Sequence, residues 1–313
     1  MKGSNGGHEP VLVQQVVRYL ATVLDGAYLD LTVGPGGHLK ALAQALEQDA
    51  RLYGVDRDAA AVRLAQKNLQ GLPQVKAIIR TSYSRVDSVV SEFGDTSFDG
   101  ILLDLGISSL QLDDPRRGFS FRYDGPLDMR FDTGSDEPTA ADLINTLGEN
   151  ELANIIRNFG EQRNAGQLAR AIVRERQSKM LRTTAELRDL ILKTAKTSQE
   201  HKTLARVFQA FRIAVNKELE HLEAVLPMAV DLVSKGGRLA VISYHSLEDR
   251  MVKRYMRQQV KGCVCPETFD VCVCGRRPSL KMVTRRAVTA SPQEQQLNPR
   301  SRSAKLRVAE KIT

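Results

Sequence analysis

The chain has 313 residues, of which 42% are hydrophobic and 26% charged, a composition typical of a soluble globular protein of one or two domains. No run approaches the roughly 18 apolar residues that span a bilayer. The N-terminal residues also lack the apolar core of a secretory signal, so we expect a cytoplasmic protein without a membrane partner. The net charge of +8 lies in the C-terminal fifth, where 15 Lys and Arg stand against four Asp and Glu from residue 250 onward. This asymmetry is typical of a segment that binds a polyanion such as nucleic acid, and equally of a solvated tail.

Strand and helix patterns alternate over the first hundred residues. Apolar runs at 27–33, 51–56, 75–83 and 98–106 are typical of buried strands. Helical patterns lie between them, and we expect these helices at 37–48, 57–70 and 84–94. Buried strands that alternate with helices predict a parallel sheet covered on both faces.

The alternation stops after residue 106. Residues 112–136 carry turn formers and charges without a regular period, and residues 137–203 have helical patterns only. We therefore predict one α/β domain that a helical insertion interrupts. The predicted segments are 1–112 for the first part of the α/β domain, 113–203 for the insertion and 204–313 for the second part.

The α/β pattern resumes in the last third of the chain. A long helical stretch is expected to end at Gly236–Gly237, followed by a buried strand at 238–245 and a helix at 246–259. Ser246 and Asp249 have the spacing of a capping box, so we expect them to cap the N-terminus of this helix. Two short alternating runs, 281–290 and 303–312, predict a hairpin-like pair at the edge of the sheet.

The turn after the first strand is rich in glycine. Gly34, Gly36 and Gly37 lie within the stretch LDLTVGPGGHLKAL, where a backbone must turn tightly or approach a ligand. A dinucleotide-binding fingerprint needs a further glycine at position 39, which is Leu39. The sequence therefore disfavours an NAD-dependent dehydrogenase.

Acidic residues end the strands around this turn. Asp30 precedes the turn, Asp56 follows Gly34 by 22 residues, and Asp104 ends the fourth strand. Ligands of such sheets bind at the carboxyl ends of the strands, where a carboxylate like that of Asp56 accepts both hydroxyls of a ribose. These residues together predict a site for S-adenosylmethionine, which has a ribose but no pyrophosphate.

Five long motifs resemble the RsmH (MraW) family, whose members are bacterial methyltransferases that use S-adenosylmethionine to methylate N4 of a cytidine in the decoding centre of 16S rRNA. The resemblance implies a class I (Rossmann-like) methyltransferase sheet with an inserted all-helical domain. It also implies the small ribosomal subunit as partner. The motifs are GPGGH at 34–38, LLDLGISSLQLDD at 102–114, RGFSFRYDGPLDMR at 117–130, FQAFRIAVNKEL at 208–219 and ISYHSLEDR at 242–250.

The resemblance also assigns the cofactor site. Tyr83 is chemically suited to it because an aromatic ring stacks on a base. The sequence departs from the usual family pattern at Leu31 and Leu39, where we expect altered packing but no loss of binding. The family's cofactor positions fall on Gly36, Gly37, His38, Asp56, Tyr83, Asp104 and Gln111.

The catalytic residue stays unassigned, with three candidates. Asp128 lies in a loop expected to overhang the site, and its alternative role is an ion pair with Arg130. Asn216 is the one amide in the helical stretch FRIAVNKEL and is a candidate to face the cytosine. His245 follows the last central strand and is either close to the target base or held by its turn. Methyl transfer needs alignment more than a strong nucleophile.

Four cysteines lie in the stretch CVCPETFDVCVC as two Cys-x-Cys pairs. Zinc sites more often use Cys-x-x-Cys pairs, so we predict no metal and keep zinc as the lesser alternative to thiols that bind none. The basic residues beside them are candidates for RNA binding. The cysteines are Cys263, Cys265, Cys272 and Cys274, and the basic residues are Arg276, Arg277, Lys281, Arg285 and Arg286.

Two other functions compete with rRNA methylation. A methyltransferase of DNA amines commonly carries an Asn/Asp/Ser-Pro-Pro-aromatic motif after the fourth strand, whereas this chain has DLGISS. A non-catalytic RNA-binding or ribosome-assembly factor would not need the cofactor residues Gly36, Gly37, Asp56 and Asp104. We expect the helical insertion and the basic C-terminal segment to bracket the RNA.

Overall fold

The computed structural model of the protein describes residues 10–195, 198–266, 268–269, 271 and 273–313. Its sheet has seven strands in the order β3-β2-β1-β4-β5-β7-β6. The first five are parallel, and β7 runs antiparallel to both β5 and β6. The strands are β1 (Ala27–Asp30), β2 (Arg51–Asp56), β3 (Val75–Arg80), β4 (Phe98–Asp104), β5 (Val233–Ser243), β6 (Leu280–Met282) and β7 (Lys305–Lys311).

The described residues also form twelve α-helices, none of which is both long and apolar enough to cross a membrane. The helices are α1 (Val13–Leu20), α2 (Gly37–Ala45), α3 (Ala59–Asn68), α4 (Ser109–Asp113), α5 (Ala140–Thr146), α6 (Glu149–Asn158), α7 (Ala165–Ser178), α8 (Thr184–Ala195), α9 (Glu200–Asn216), α10 (Glu218–Leu232), α11 (Ser246–Lys261) and α12 (Pro292–Leu297).

The first compact unit consists of the chain before residue 107 and after residue 220, and it contains the whole sheet. Its apolar side chains form two clusters on opposite faces of the sheet, because successive strand residues point to opposite sides. Leu29 of β1 shares one cluster with Leu222 of α10, whereas its neighbour Tyr28 shares the other with Leu39 of α2. Burial on both faces explains why these strands are apolar throughout.

The second compact unit is formed by residues 107–220 and contains α4 to α9 around one apolar cluster. The predicted insertion, 113–203, lies inside this unit, and its predicted end falls within α9. The helix continues to Asn216 because Phe208 and Phe211 on its later turns are buried in the same cluster.

Three elements differ from the sequence prediction. The expected helix at 84–94 consists of two short 3-10 helices, in a stretch where β-branched valines disfavour an α-helix. The expected long helix is divided at Lys217, which has a φ of 49° between α9 and α10. Gly236–Gly237 does not end a helix but lies within β5, where a Cβ on Gly237 would come within 2.9 Å of the Asp99 carbonyl oxygen.

The predicted antiparallel pair near the C-terminus is confirmed. Strand β6 pairs with β7 from Leu280 opposite Lys311 to Met282 opposite Ala309. Strand β7 lies between β6 and β5, so of these two strands only β6 is at an edge of the sheet.

Candidate active site

Three acidic residues lie at the carboxyl ends of adjacent parallel strands. Asp30 ends β1, Asp56 ends β2 and Asp104 ends β4, and β1 pairs with both of the other strands. Because parallel neighbours end at the same edge of a sheet, the three carboxyl groups share that edge, where ligands of such sheets bind.

The turn between β1 and α2 requires its glycines. Gly34 and Gly36 have φ values of 50° and 89°, which residues other than glycine rarely adopt. A Cβ on Gly36 would come within 2.9 Å of Leu69, and a Cβ on Gly37 within 2.6 Å of Pro10. A side chain at either position would therefore collide with its neighbours, so the close packing of this turn requires glycine at 36 and 37.

Asp56 ties this turn to the next strand. Its Oδ2 accepts the Gly34 N–H at 2.9 Å, and its Oδ1 accepts the Asp58 N–H at 2.9 Å. Burial raises the pKa of Asp56 to about 6, and the two backbone hydrogen bonds oppose this effect. The carboxylate is thus held in one orientation beside the glycine turn, as a ribose-binding group requires.

Thr32 joins the first and fourth strands and was missed in the sequence analysis. Its hydroxyl donates to Asp30 Oδ1 at 3.2 Å and accepts the Asp104 N–H at 2.6 Å. Burial raises the pKa of Asp30 to about 6, and its Oδ2 is buried without a hydrogen-bond partner among the described residues. A threonine two residues after a strand-ending acid is the signal that would have pointed to this link.

His38 is buried at the start of α2. Its Nε2 donates to the Val11 carbonyl oxygen at 2.9 Å, so in the neutral ring Nδ1 carries the lone pair. That Nδ1 lies 3.7 Å from Asp104 Oδ2. Burial lowers the pKa of His38, against the attraction of Asp30. The ring braces the N-terminal segment against the turn and reaches the edge that Asp104 occupies.

Asp104 has the highest pKa of the three acids. Burial raises it to about 7; the hydrogen bond from Tyr244 lowers it, and the negative charge of Glu248 raises it further. The Tyr244 hydroxyl donates to Asp104 Oδ1 at 2.8 Å. A Cβ on Gly106 would come within 3.3 Å of the Tyr244 ring. Tyr244 was also missed; its position directly after β5, within the motif ISYH, is the available signal.

The remaining predicted cofactor residues are Tyr83 and Gln111, and each makes structural contacts within its own compact unit. Tyr83 begins a 3-10 helix after β3, and its ring lies edge-on to that of His221, with centroids 6.2 Å apart. Gln111, in the second unit, is buried, and its Oε1 accepts the Ser108 N–H at 3.0 Å as part of the N-terminal cap of α4.

Two of the catalytic candidates stabilise one loop of the second unit. Asp128 forms a bidentate ion pair with Arg130, at 2.9 Å for each oxygen, which is the alternative role considered for it. Asn216 is buried, and its amide holds the backbone of the same loop. It accepts the Phe131 N–H at 2.8 Å and donates to the Met129 carbonyl oxygen at 2.7 Å. These contacts occupy polar groups that a cytosine would otherwise need.

His245 is the N-cap of α11, and the predicted cap of Ser246 with Asp249 is wrong. The His245 Nδ1 accepts the Glu248 N–H at 3.4 Å, and the Glu248 Oε2 accepts the His245 N–H at 3.3 Å. Asp249 instead pairs with Lys305 and Arg307 of β7. With Ser246 as the cap, the helix would begin at residue 247. It begins at Ser246 because the imidazole nitrogen of His245 is the capping acceptor.

The predicted RNA-binding residues share one property. Their side chains are exposed and form no hydrogen bond or ion pair with any described residue. They remain available to an anionic partner. These residues are Arg276, Arg277, Lys281, Arg285 and Arg286.

The cysteines lie close together in the part of the chain that the structure describes. The sulfur atoms of Cys263, Cys265 and Cys274 all lie within 4.8 Å of one another. The fourth, Cys272, lies outside the described residues.

The strand order and the acidic strand ends define a class of protein. A parallel five-stranded core with β7 inserted antiparallel between β5 and β6, and a glycine turn after β1, is the class I, Rossmann-like methyltransferase sheet. This confirms the fold class predicted from the sequence.

Comparisons with known proteins identify the family. The sequence profile of the MraW methylase family matches residues 5–312. A ribosomal RNA small subunit methyltransferase H from Heliobacterium modesticaldum is 46% identical over 309 residues, which cover 97% of this chain and 98% of the relative. Its counterpart from Oleidesulfovibrio alaskensis is 45% identical over 310 residues, 97% and 95% of the two chains. The chain therefore belongs to the MraW methylase family, and the family predicted from the motifs is confirmed.

Solved structures were compared as well. A putative rRNA methylase from Clostridium thermocellum aligns over 100% of this chain and 98% of its own, at 12% identity and a TM-score of 0.44.

Proposed function

We propose that this protein transfers a methyl group from S-adenosylmethionine to N4 of a cytidine in the decoding centre of 16S rRNA, with the small ribosomal subunit as its partner. The observation that carries the proposal is the convergence of Asp30, Asp56 and Asp104 beside a glycine turn at one sheet edge. The names of its relatives support the choice of small-subunit rRNA as substrate.

The residues at this edge fit S-adenosylmethionine. The molecule carries a cationic sulfonium and an ammonium group. In their ionised form the three carboxyl groups would offer it the opposite charge, and a bound cation would favour that form against the burial that raises their pKa values. Gly36 and Gly37 let a ligand approach the backbone, and Asp56 accepts from the ribose. When bound, S-adenosylmethionine supplies an electrophilic methyl group.

The chain's own contribution to the reaction is alignment and acceptance of a proton. The target base must leave its stack to reach the sheet edge, which costs a few kcal/mol in a duplex. Methylation of N4 releases a proton from that nitrogen. Asp104 suits this step because its pKa of about 7 allows it to take up and release a proton at neutral pH. The hydrogen bond from Tyr244 fixes the position of its carboxyl group.

The test is a methylation assay on small ribosomal subunits from a strain that lacks the corresponding activity. Tritiated S-adenosylmethionine supplies the label, and nucleoside mass spectrometry identifies the product. We expect N4-methylated cytidine with the wild-type protein and none with Asp104→Ala. Asp49→Asn, a change at an exposed acid of the same unit, is the matched control and should leave the product unchanged.

Two outcomes would redirect the proposal. Binding of S-adenosylmethionine without transfer to small subunits would favour another amine substrate, such as DNA. Absence of cofactor binding would favour a non-catalytic role in ribosome assembly.

A further inference from the structure

We propose that Cys263, Cys265 and Cys274 bind one zinc ion, which joins the two stems of the loop that follows α11. We call this segment, between Cys263 and Arg277, the cysteine loop. The proposal concerns a site away from the strand-end carboxylates and does not depend on the reaction that they serve.

The distances between the sulfur atoms fit a tetrahedral thiolate site. The Sγ atoms of Cys263 and Cys274 are 3.8 Å apart, and the Sγ of Cys265 lies within 4.8 Å of both. Zinc–sulfur bonds of about 2.3 Å in tetrahedral geometry place neighbouring sulfur atoms about 3.8 Å apart. A disulfide would require about 2.05 Å, so this pair is spaced for a shared ion and not for a covalent bond.

A backbone amide is aimed at one of the sulfur atoms. The Val264 N–H points to Cys274 Sγ, with nitrogen and sulfur 3.5 Å apart. An N–H donor stabilises the negative charge of a thiolate, the form in which cysteine binds a metal. The contact also crosses from one stem of the loop to the other.

The base of the cysteine loop is closed by the protein itself. A Cβ on Gly262, which has a φ of 68°, would collide with the backbone of Arg277 and Pro278. The Ser279 N–H donates to the Gln259 carbonyl oxygen at 3.0 Å. The two stems therefore leave and re-enter the domain side by side, which places cysteines distant in sequence within reach of one ion.

The described part of the loop buries little that would hold it together. Four of its apolar side chains are 42% to 73% exposed, namely Val264, Phe269, Val271 and Val273. A short segment without an apolar core is usually stabilised by a cross-link such as a disulfide or a bound metal ion. The sequence disfavoured zinc because zinc sites more often use Cys-x-x-Cys pairs, whereas the structure brings Cys263 and Cys274 together across the two stems.

The ligand type determines the choice of metal. Soft thiolates select zinc, copper(I) or iron–sulfur clusters, and the spacing of these three sulfur atoms fits tetrahedral bonds to zinc. Binding replaces the proton of each of the three thiols by a bond to the ion, so three protons are released per zinc at a pH where the thiols are protonated. The fourth tetrahedral position is open to a further donor.

The proposal is tested on the full-length protein by elemental analysis and by cobalt substitution. We expect about one zinc per chain as purified, and, after removal and replacement by Co²⁺, a tetrahedral spectrum with sulfur-to-cobalt charge-transfer bands. The variants Cys263→Ser, Cys265→Ser and Cys274→Ser should each weaken zinc binding by more than the 10- to 100-fold that loss of an outer contact costs. Val273→Ser, which places the same residue at an exposed position of the same loop, should bind like the wild type.

Several results would overturn the proposal. These are a wild-type protein that contains no zinc and takes up none, a cobalt spectrum with fewer than three thiolates, or cysteine variants that bind like Val273→Ser. Iron or copper in place of zinc would refute the choice of metal. Circular dichroism and cofactor binding, measured on every variant, distinguish loss of the site from loss of the fold.

Discussion

Asp56 combines two properties from which we predict that cofactor binding depends on pH. It is fixed beside the glycine turn by two backbone amides, and burial raises its pKa to about 6. Once protonated, it accepts hydrogen bonds less well and no longer offers a negative charge. We predict that the affinity for S-adenosylhomocysteine falls as pH drops below about 6, with a slope that approaches tenfold per pH unit. Titration calorimetry between pH 5 and 8 measures this dependence.

The variants of this experiment separate Asp56 from its neighbours. Asp56→Asn should bind weakly at every pH and lose most of the dependence, whereas Asp49→Asn should follow the wild type. A wild-type affinity that is constant down to pH 5 would contradict the role given to Asp56.

The buried carboxyl groups of the candidate site make the stability of the ligand-free protein depend on pH in the opposite direction: stability falls as pH rises. Their folded pKa values, about 6 for Asp30 and Asp56 and about 7 for Asp104, lie above the ordinary value of 3.8. Their contribution to stability is therefore complete below pH 3.8 and is lost as pH rises through 6 and 7. We predict that Asp104→Asn raises the melting temperature of the ligand-free protein by a few degrees at pH 8 and leaves it unchanged near pH 4. An equal shift at both pH values would show that ionisation is not the cause.

Gly36 illustrates a position where backbone angle and space both demand glycine. Its φ is 89°, and a Cβ would come within 2.9 Å of Leu69. Gly71 has nearly the same φ, 85°, with nothing within 4 Å of a Cβ. We predict that Gly71→Ala costs only the roughly 1–2 kcal/mol of the left-handed conformation, whereas Gly36→Ala costs more and weakens cofactor binding at least tenfold. Thermal unfolding measures the stability of the two variants, and titration calorimetry measures their cofactor affinity. Equal effects of Gly36→Ala and Gly71→Ala would exclude the contact with Leu69 as a cause.

At the scale of elements, helix α11 tests whether His245 acts as a cap or as a catalyst. Asparagine is among the best N-cap residues, so His245→Asn retains the cap and removes the imidazole. We predict near wild-type stability and methyl transfer for His245→Asn, and a loss of about 1 kcal/mol for His245→Ala. Loss of transfer in a stable His245→Asn protein would return His245 to the catalytic candidates.

The sequence predicted those elements that local patterns specify. Strand β2 was placed at its observed bounds, 51–56, because a buried parallel strand is apolar along its length and ends at an acid. The division between α9 and α10 was missed because Lys217, at a φ of 49°, is not a residue that marks a helix end. The cap of α11 was misplaced because serine caps are common and histidine caps are not.

Within the candidate site, sequence reasoning identified the acids at the strand ends and missed the side chains that position them. Asp56 and Asp104 stood out as acids at strand ends. Thr32 and Tyr244 did not, because their bonds to Asp30 and Asp104 connect strands distant in sequence. The same limit applies to the cysteine loop, whose sulfur atoms meet across its two stems.

At the scale of the whole molecule, the uneven charge predicts how binding to RNA depends on salt. Arg285 and Arg286 are exposed and bind no described residue, so their charges are available for phosphate contacts. Each phosphate contact contributes about 0.7 to the slope of log K against log salt for a single strand. We predict that Arg285→Ala with Arg286→Ala lowers this slope by roughly 1.4 and weakens RNA binding most at low salt, with cofactor affinity unchanged. The control variant, Arg63→Ala with Lys67→Ala, removes the same charge from exposed positions of α3. Filter binding over a salt series compares the two variants. Equal losses of RNA affinity would mean that the total charge of the protein, and not its basic C-terminal segment, attracts the RNA.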